Sequence, residues 1–272
     1  MAIPNSASAA QPSAAQHTTE PGEGFSLVRR SIQREMYSLV HRAQLLRQRL
    51  GLSDTGNDVA EIAACSALRA HDVVIASPQA LGAHIARGVP LTEIATNAIH
   101  METSGNSGTS GAQSLAVATG QAVTQLVGHS SSVALVCCES FEGDHEWRSV
   151  LRFAGQHKLP VLFIFRNHQS ATGARMFDLR STYAEFGVPA ITVDAVDAVA
   201  VYRVATEACH NARIGRGATI IDAISIDSAS RFASGNPLVL LESYMRRHSA
   251  WSDTWLLDMQ ASERRAIESI KI

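Results

Sequence analysis

Apolar and polar positions recur along the chain with two periods, and these predict a succession of helices and short buried strands. Residues 133–138 and 161–165 are continuous runs of aliphatic, β-branched and aromatic side chains, as in parallel strands that are covered on both faces. The segment between them carries apolar residues at the spacing of one helix face, namely Trp147, Val150, Leu151 and Ala154. This unit predicts two parallel strands whose carboxyl ends meet at the same edge of a sheet.

The same patterns extend over most of the chain. They predict further strands at residues 72–76, 191–193 and 218–226, and helices at 25–50, 58–68, 79–87, 91–100, 112–127, 147–157, 197–212, 238–247 and 256–270, with a helical segment at 182–186. Alternation of strands and helices indicates an α/β fold with a doubly wound parallel sheet. We expect residues 1–24, rich in Ala, Ser, Pro and Gln, to be a disordered tail before a single domain at 25–272 with a helical C-terminal region.

Composition narrows the function classes. The chain of 272 residues is 46% hydrophobic, so it can bury a large core without disulfides. A net charge of −2 offers no basic footprint for nucleic acid or an anionic membrane, and no apolar run reaches the roughly 20 residues of a membrane span. The cysteines lie in apolar patterns, and residues 1–24 lack the cations of a signal or transit peptide. We therefore expect buried free thiols and a cytoplasmic protein.

Two segments emerge at the carboxyl edge of the predicted sheet, where open α/β sheets bind ligands. They are Cys138-Glu139-Ser140 and Arg166-Asn167-His168-Gln169-Ser170. A third candidate is the glycine-rich stretch at 103–111, which ends at Gly111. Its backbone could cradle an anion, or it could be a flexible surface loop, and the pattern alone leaves both interpretations open.

From about residue 36 onward the chain resembles the alpha subunit of the thiamine-diphosphate-dependent 2-oxo-acid dehydrogenases. This is the decarboxylating E-one component of the pyruvate, branched-chain and acetoin dehydrogenase complexes. The resemblance rests on the order and spacing of short motifs: Gly56-Asn57-Asp58, Ala86-Arg87-Gly88-Val89, Gly111-Ala112-Gln113, Lys158-Leu159-Pro160-Val161, Arg166-Asn167 and Gly187-Val188-Pro189.

The resemblance implies a thiamine-diphosphate-binding fold that pairs with a beta subunit, with the cofactor between the two chains. It also implies oxidative decarboxylation of a 2-oxo acid and transfer of the acyl group to a lipoyl-bearing acyltransferase, with the hard chemistry carried by the cofactor. By position, the residues implied to contact magnesium and the diphosphate are Gly111, Glu139, Ser140, Asn167, His168 and Ser170. Of these, Glu139, His168 and the Ser170 carbonyl are the implied metal ligands.

The chain departs from the family pattern at these ligand positions. The family's Gly-Asp-Gly metal motif is here Cys138-Glu139-Ser140, and His168 replaces an Asn ligand although magnesium prefers oxygen donors. A Tyr-Arg pair that binds the diphosphate aligns with Pro78-Gln79, which removes a fixed positive charge. The family's loop histidine is missing from the short stretch at 225–235. We therefore expect impaired cofactor binding.

Several hypotheses follow, and they leave open whether the chain is an enzyme. It is an alpha-like dehydrogenase subunit that still supports the cofactor through Glu139 and the Ser170 carbonyl, or an alpha-like subunit with a structural or regulatory role and no catalysis. A third hypothesis is a transition-metal site at Glu139 and His168, completed by Cys138 or His145. A fourth is an unrelated α/β binding protein.

Overall fold

A five-stranded parallel sheet forms the centre of the fold. The computed structural model describes residues 28–52, 57–104, 111–128, 130–138, 146–169, 184–226 and 235–270. The strands lie in the order β1-β2-β3-β5-β4, and every neighbouring pair is parallel. Their bounds are β1 (Val73–Ala76), β2 (Ala134–Cys138), β3 (Val161–Gln169), β4 (Ala190–Asp194) and β5 (Thr219–Ile226).

Helices connect these strands and extend the fold at both ends. Their bounds are α1 (Arg30–Leu50), α2 (Asn57–Ser66), α3 (Leu81–Ala86), α4 (Leu91–Ser104), α5 (Gly111–Val127), α6 (Glu146–Gln156), α7 (Ala198–Arg213), α8 (Pro237–Arg247) and α9 (Asp253–Glu268), with a 3-10 turn at Ala184–Phe186. Within the described ranges, no helix is long and apolar enough to cross a bilayer.

Both faces of the sheet are buried, each under a different set of helices. Leu135 and Cys137 of β2 belong to a core cluster with α1, α2, α3, α7, α8 and α9. Their alternate neighbours Val136 and Cys138 belong to a second cluster with α5 and α6. Because successive side chains of a strand point to opposite faces, the continuous apolar runs reflect this double coverage. The prediction of a doubly wound α/β sheet is confirmed.

Strand β3 is longer than its apolar run predicts. Residues 166–169, expected in a ligand-facing loop, continue the strand because β5 pairs with them as far as Gln169 opposite Ile226. Strand β2 pairs with β3 only as far as Cys138 opposite Phe165. Backbone pairing with the long strand β5 therefore outweighs the polar character of residues 166–169. Hydrophobic periodicity does not predict such pairing.

Other boundaries shift where turns and caps decide them. The first helix begins at Arg30, and the helix expected at 79–87 begins at Leu81 because residues 77–80 form a turn closed by Ala80 N–H and the Ser77 carbonyl at 2.9 Å. Helix α4 continues to Ser104 and Gly111 opens α5, so the expected glycine-rich loop at 103–111 is partly helical. The segment expected at 182–186 is described only as the 3-10 turn. Residues 105–110 and the tail at 1–24 lie outside the described residues.

The C-terminal helices pack against α1 through aromatic and charged contacts. The Tyr37 ring meets the rings of Trp251 and Trp255 edge-on, with centroids at 5.3 and 5.7 Å. Arg42 donates to both carboxylate oxygens of Glu263, at 2.6 and 2.9 Å. Edge-to-face aromatic pairs and a bidentate guanidinium both favour one fixed geometry. These contacts hold α9 against α1.

Helices α2 and α3 approach each other so closely that only glycine fits between them. A Cβ atom added at Gly82 would lie 2.4 Å from the Asp58 carbonyl oxygen. Gly82 is itself buried at the start of α3, immediately after the turn at residues 77–80. The packing of α3 on α2 therefore determines where this turn sits.

Replacing Gly82 by Ala should destabilise the fold by roughly 2–4 kcal/mol, because the new methyl group overlaps backbone that cannot move as a side chain could. Chemical denaturation of the purified protein measures the change. Gly120→Ala in α5 is the matched control, since a Cβ atom there meets nothing within 4 Å. We expect the control to be neutral or stabilising by up to about 1 kcal/mol, because alanine is the better helix former. Equal effects of the two substitutions would contradict the close-packing argument.

Candidate functional site

Of the residues implied to contact magnesium or the diphosphate, the structure describes the backbones of Gly111, Asn167 and His168. The backbones of Asn167 and His168 lie near the end of β3, opposite Ile224 and Ser225 of β5. Since β2 ends opposite Phe165, they lie roughly 7–10 Å beyond its last residue at a strand rise of about 3.3 Å per residue. The backbone of Gly111 begins α5. Glu139, Ser140 and Ser170 lie outside the described residues.

Cys138 points away from the carboxyl edge of the sheet. Its side chain is 1% exposed and packs in the apolar cluster with α5 and α6, so it is not placed to complete a metal site at the surface. In the part of the chain that the structure describes, no group of three His, Cys, Asp or Glu side chains could hold a metal ion. The four cysteines are buried and form no disulfide, as the apolar patterns predict. A hydrogen bond with Cys65, together with burial, raises the pKa of the Cys137 thiol well above its usual range.

Arg166 is committed to the interior of the protein, although the sequence places it beside the ligand positions. Its Nη1 lies 3.3 Å from Oε1 of Glu61, a carboxylate on α2 that is completely buried. The other carboxylate oxygen of Glu61 accepts a hydrogen bond from the Ala83 amide of α3 at 3.2 Å. Glu61 therefore joins α2, α3 and β3 just below the carboxyl edge.

Sequence reasoning missed Glu61, although one signal was available. Glu61 is flanked by Ala60, Ile62, Ala63 and Ala64, all of which are buried. A carboxylate inside such an apolar stretch predicts a buried partner, because an unpaired buried charge is costly. Burial raises the pKa of Glu61 to about 7, while the nearby Arg166 guanidinium acts in the opposite direction.

A second buried ion pair lies beside the first. Asp58 accepts hydrogen bonds from Nε of Arg47 and, at 2.8 Å, from its Nη2. Both side chains are at most 10% exposed. Such a two-pronged contact fixes the plane of the guanidinium and neutralises its charge locally. Arg47 thus holds the end of α1 against the start of α2.

A cavity of about 230 Å³ opens between α1, α3 and α4, next to the turn that carries Pro78 and Gln79. Its described lining is mainly apolar and consists of Arg47, Leu52, Pro78, Gln79, Leu81, Ile94 and Ala98. The position that the resemblance assigns to a diphosphate-binding arginine is thus a glutamine at the cavity rim. Among the described lining residues the one cation is Arg47, which is committed to Asp58.

The described lining does not fit a diphosphate. That group carries several negative charges and is usually held by backbone amides together with unpaired cations or a metal ion. The described lining offers an apolar wall, an amide side chain and a guanidinium already paired with a carboxylate. These groups offer little compensation for the desolvation of a diphosphate.

Comparison with known proteins shows which family the chain belongs to. The sequence profile of the family described as "Dehydrogenase E1 component" matches residues 26–226, about three-quarters of the chain. The chain belongs to the dehydrogenase E1 component family. This confirms the resemblance and places the cavity, the two buried ion pairs and the end of β3 within the E1-related part of the molecule.

Similar E1 proteins include alpha subunits of two substrate classes. The chain is 30% identical over 128 residues to the pyruvate dehydrogenase E1 component subunit alpha of Porphyra purpurea, covering 42% of this chain and 37% of that protein. It is 27% identical over 235 residues to the 3-methyl-2-oxobutanoate dehydrogenase subunit alpha of Mycobacterium tuberculosis, covering 72% and 63%. The 2-oxoisovalerate dehydrogenase subunit alpha of Bacillus subtilis is 24% identical over 246 residues, covering 74% of each. The chain thus spans from about one-third to just under two-thirds of the first two relatives.

Among solved structures, the chain is similar to a thiamin diphosphate-dependent enzyme from Mycobacterium smegmatis. The TM-score is 0.42 and the sequence identity 18%, and the likeness covers 64% of this chain and 32% of that one.

The raised pKa of Glu61 predicts a stability that depends on pH. Between an unfolded pKa near 4.5 and a folded pKa of about 7, the folded state holds a proton that the unfolded state has released. Its contribution to the free energy of unfolding is therefore present below pH 4.5 and falls by roughly 1–3 kcal/mol as the pH rises to about 7.

Urea denaturation of the wild type and of Glu61→Gln at pH 5 and pH 8 measures this contribution. The stability of the wild type relative to the variant should decrease from pH 5 to pH 8, because glutamine does not titrate. Glu268→Gln, at an exposed position near the end of α9, is the control and should leave the pH profile unchanged. Parallel profiles for the wild type and Glu61→Gln would show that Glu61 titrates normally.

Proposed function

We propose that this chain is an alpha-like subunit of a 2-oxo-acid dehydrogenase complex with impaired binding of thiamine diphosphate and magnesium. Membership of the E1 family and similarity to alpha subunits support the first part. The observation that carries the second part is the mainly apolar cavity beside Gln79, whose one described cation is paired with Asp58. Any activity would be oxidoreductase chemistry on the oxo group of a 2-oxo acid.

The residues proposed to face the cofactor follow from the family pattern. Glu139, His168 and the Ser170 carbonyl would hold magnesium, while Gly111, Ser140 and Asn167 would lie near the diphosphate. The extra methylene of Glu139 and the imidazole of His168 both disfavour the compact oxygen octahedron that magnesium requires. Each change weakens the site, and both act on the same ion.

The proposed assembly is a hetero-oligomer with a beta-like subunit, since the resemblance places the cofactor between the two chains. A lipoyl-bearing acyltransferase would then receive the acyl group from that complex. A beta-like gene next to the one encoding this chain would support the assembly. We propose a cytoplasmic location for the complex.

A second candidate function is a catalytically silent subunit with a structural or regulatory role. It is favoured by the contrast between the intact core and the changed ligand positions. The core residues of both sheet faces are buried and apolar, whereas Gln79, Glu139 and His168 all differ from the family's ligands. Selection for the fold without selection for the cofactor would produce this pattern.

Titration calorimetry with thiamine diphosphate and magnesium tests both functions. The chain alone should show no binding in the micromolar range, and the complex with its beta-like subunit should bind weakly. Absence of binding in the complex would exclude an active enzyme and would support the catalytically silent subunit. Micromolar binding by the chain alone would contradict impaired binding.

Replacing Gln79 by Arg should tighten cofactor binding by roughly tenfold or more, because it restores a charge-assisted contact to the diphosphate. Calorimetry on the complex measures the change. Gln156→Arg adds the same charge at an exposed position on α6 and should leave the affinity unchanged. Equal affinities for the wild type and Gln79→Arg would show that position 79 does not face the diphosphate.

A further inference from the structure

The amino edge of the sheet, opposite the candidate site, is built from loops that the strand register brings side by side. Val73, Ala134 and Val161 are aligned across β1, β2 and β3, and Leu162 is aligned with Thr219 of β5. The residues that precede these strands therefore form one continuous rim. Neighbouring strands lie about 4.8 Å apart, so the rim from β1 to β5 spans roughly 15 Å.

Buried contacts centred on Asp72 hold the β1 side of this rim together. The Asp72 carboxylate accepts hydrogen bonds from the amides of Arg69 and Val133, at 2.7 and 2.8 Å, and forms an ion pair with Arg213 at the end of α7. Arg87 donates to the carbonyl oxygens of Asp72 and Ala70, at 3.1 and 3.4 Å. The loops before β1 and after α3 are thereby fixed relative to α7.

The β3 and β5 sides of the rim are also in direct contact. A Cβ atom added at Gly217 would lie 3.0 Å from the Cα atom of Lys158, so these two loops pack backbone against backbone. Both positions have positive φ angles, +101° for Gly217 and +48° for Lys158. The tight turns place Arg216 and Lys158 next to each other on the surface.

Four cations are exposed along this rim: Arg69, Arg87, Lys158 and Arg216. Within the residues that the structure describes, none of the four is ion-paired with a carboxylate. Asp72 is only 3% exposed and its carboxylate is already engaged. Exposed carboxylates on the same side are Glu93 in the first turn of α4 and Glu185, which pairs with Arg152, so the described rim keeps a surplus of positive charge on a chain whose net charge is −2.

Helix ends allow these cations to gather without carboxylate partners. Helices α2, α3, α5, α6 and α7 all finish at this side of the sheet, since each runs back from the carboxyl edge or leads into the next strand. The partial negative charge at a helix C-terminus lowers the repulsion between nearby cations. The rim can therefore remain positively charged at little cost to the stability of the fold.

An apolar side chain is exposed next to these cations. Ile214, next to the Arg213 that binds Asp72 and two residues before Arg216, is 52% exposed. Cations beside exposed apolar groups are typical of surfaces that bind proteins. A phosphate backbone would use the charges and leave Ile214 without a contact.

We propose that the amino edge of the sheet, with Arg69, Arg87, Lys158 and Arg216 around Ile214, binds an acidic polypeptide segment that carries apolar side chains. Charge complementarity to the four cations identifies the partner as acidic, and the exposed Ile214 favours apolar groups between its carboxylates. This surface is separate from the cofactor edge and does not depend on the function proposed above.

Fluorescence anisotropy with the full chain tests the surface. The probes are a short labelled peptide of alternating Glu and Leu, a matched peptide of Glu and Ser, and an oligothymidylate of equal charge. The Glu-Leu peptide should bind most tightly, and its affinity should fall as salt is raised because the contacts are exposed charges. Tighter binding of the oligothymidylate, or no binding of the Glu-Leu peptide, would overturn the proposal.

Two sets of variants locate the site. The combined change Arg69→Gln, Lys158→Gln and Arg216→Gln should weaken peptide binding by about tenfold, as expected for three exposed charge contacts. The combined change Arg203→Gln, Arg247→Gln and Arg265→Gln removes the same charge from exposed positions elsewhere and should leave the affinity within about twofold. Equal losses in both sets would show that only the net charge matters and would overturn the proposal.

Ile214→Ser isolates the apolar part of the contact. It should remove the preference for the Glu-Leu peptide over the Glu-Ser peptide while keeping the salt dependence. An unchanged preference would overturn the role of Ile214 as the apolar centre of the surface.

Discussion

The buried carboxylate of Glu61 is the interaction on which the candidate site depends. It lies on α2, accepts the Ala83 amide of α3 and faces Arg166 of β3, so one side chain links three elements. Without a partner, a charge in this position would be strongly unfavourable. The position of Arg166 thus follows from the needs of the core, and the end of β3 and the turn before α3 are held in fixed relation to each other.

Much of the fold could be predicted from periodicity, because double coverage of the sheet produces continuous apolar runs such as those around Leu135 and Phe163. The extension of β3 to Gln169 could not be predicted in this way, since it depends on pairing with a distant strand and not on local apolar content. The ion pair between Arg166 and Glu61 could not be predicted for a similar reason. The two residues are far apart in sequence, and only the packing of α2 on the sheet brings them together.

At the candidate site, the resemblance predicts a missing cation at Gln79 from the sequence alone. The surroundings of Gln79 could not be predicted in this way, because the structure is needed to show that the nearby Arg47 is paired with Asp58. The two edges of the sheet therefore differ in kind. At the described part of the carboxyl edge Arg47 and Arg166 are paired with buried carboxylates. At the amino edge Arg213 is paired with Asp72, whereas Arg69, Arg87 and Arg216 are exposed.

The close approach of Gly82 to Asp58 has a consequence for how the cavity can evolve. Because α3 is already in backbone contact with α2, the wall formed by Leu81 cannot retreat to admit a larger molecule. Helix α4 contributes Ile94 and Ala98 to the facing wall, and the partly exposed Ala98 borders open space. Changes in the volume of the cavity are therefore expected to arise on α4, while α2 and α3 stay constant.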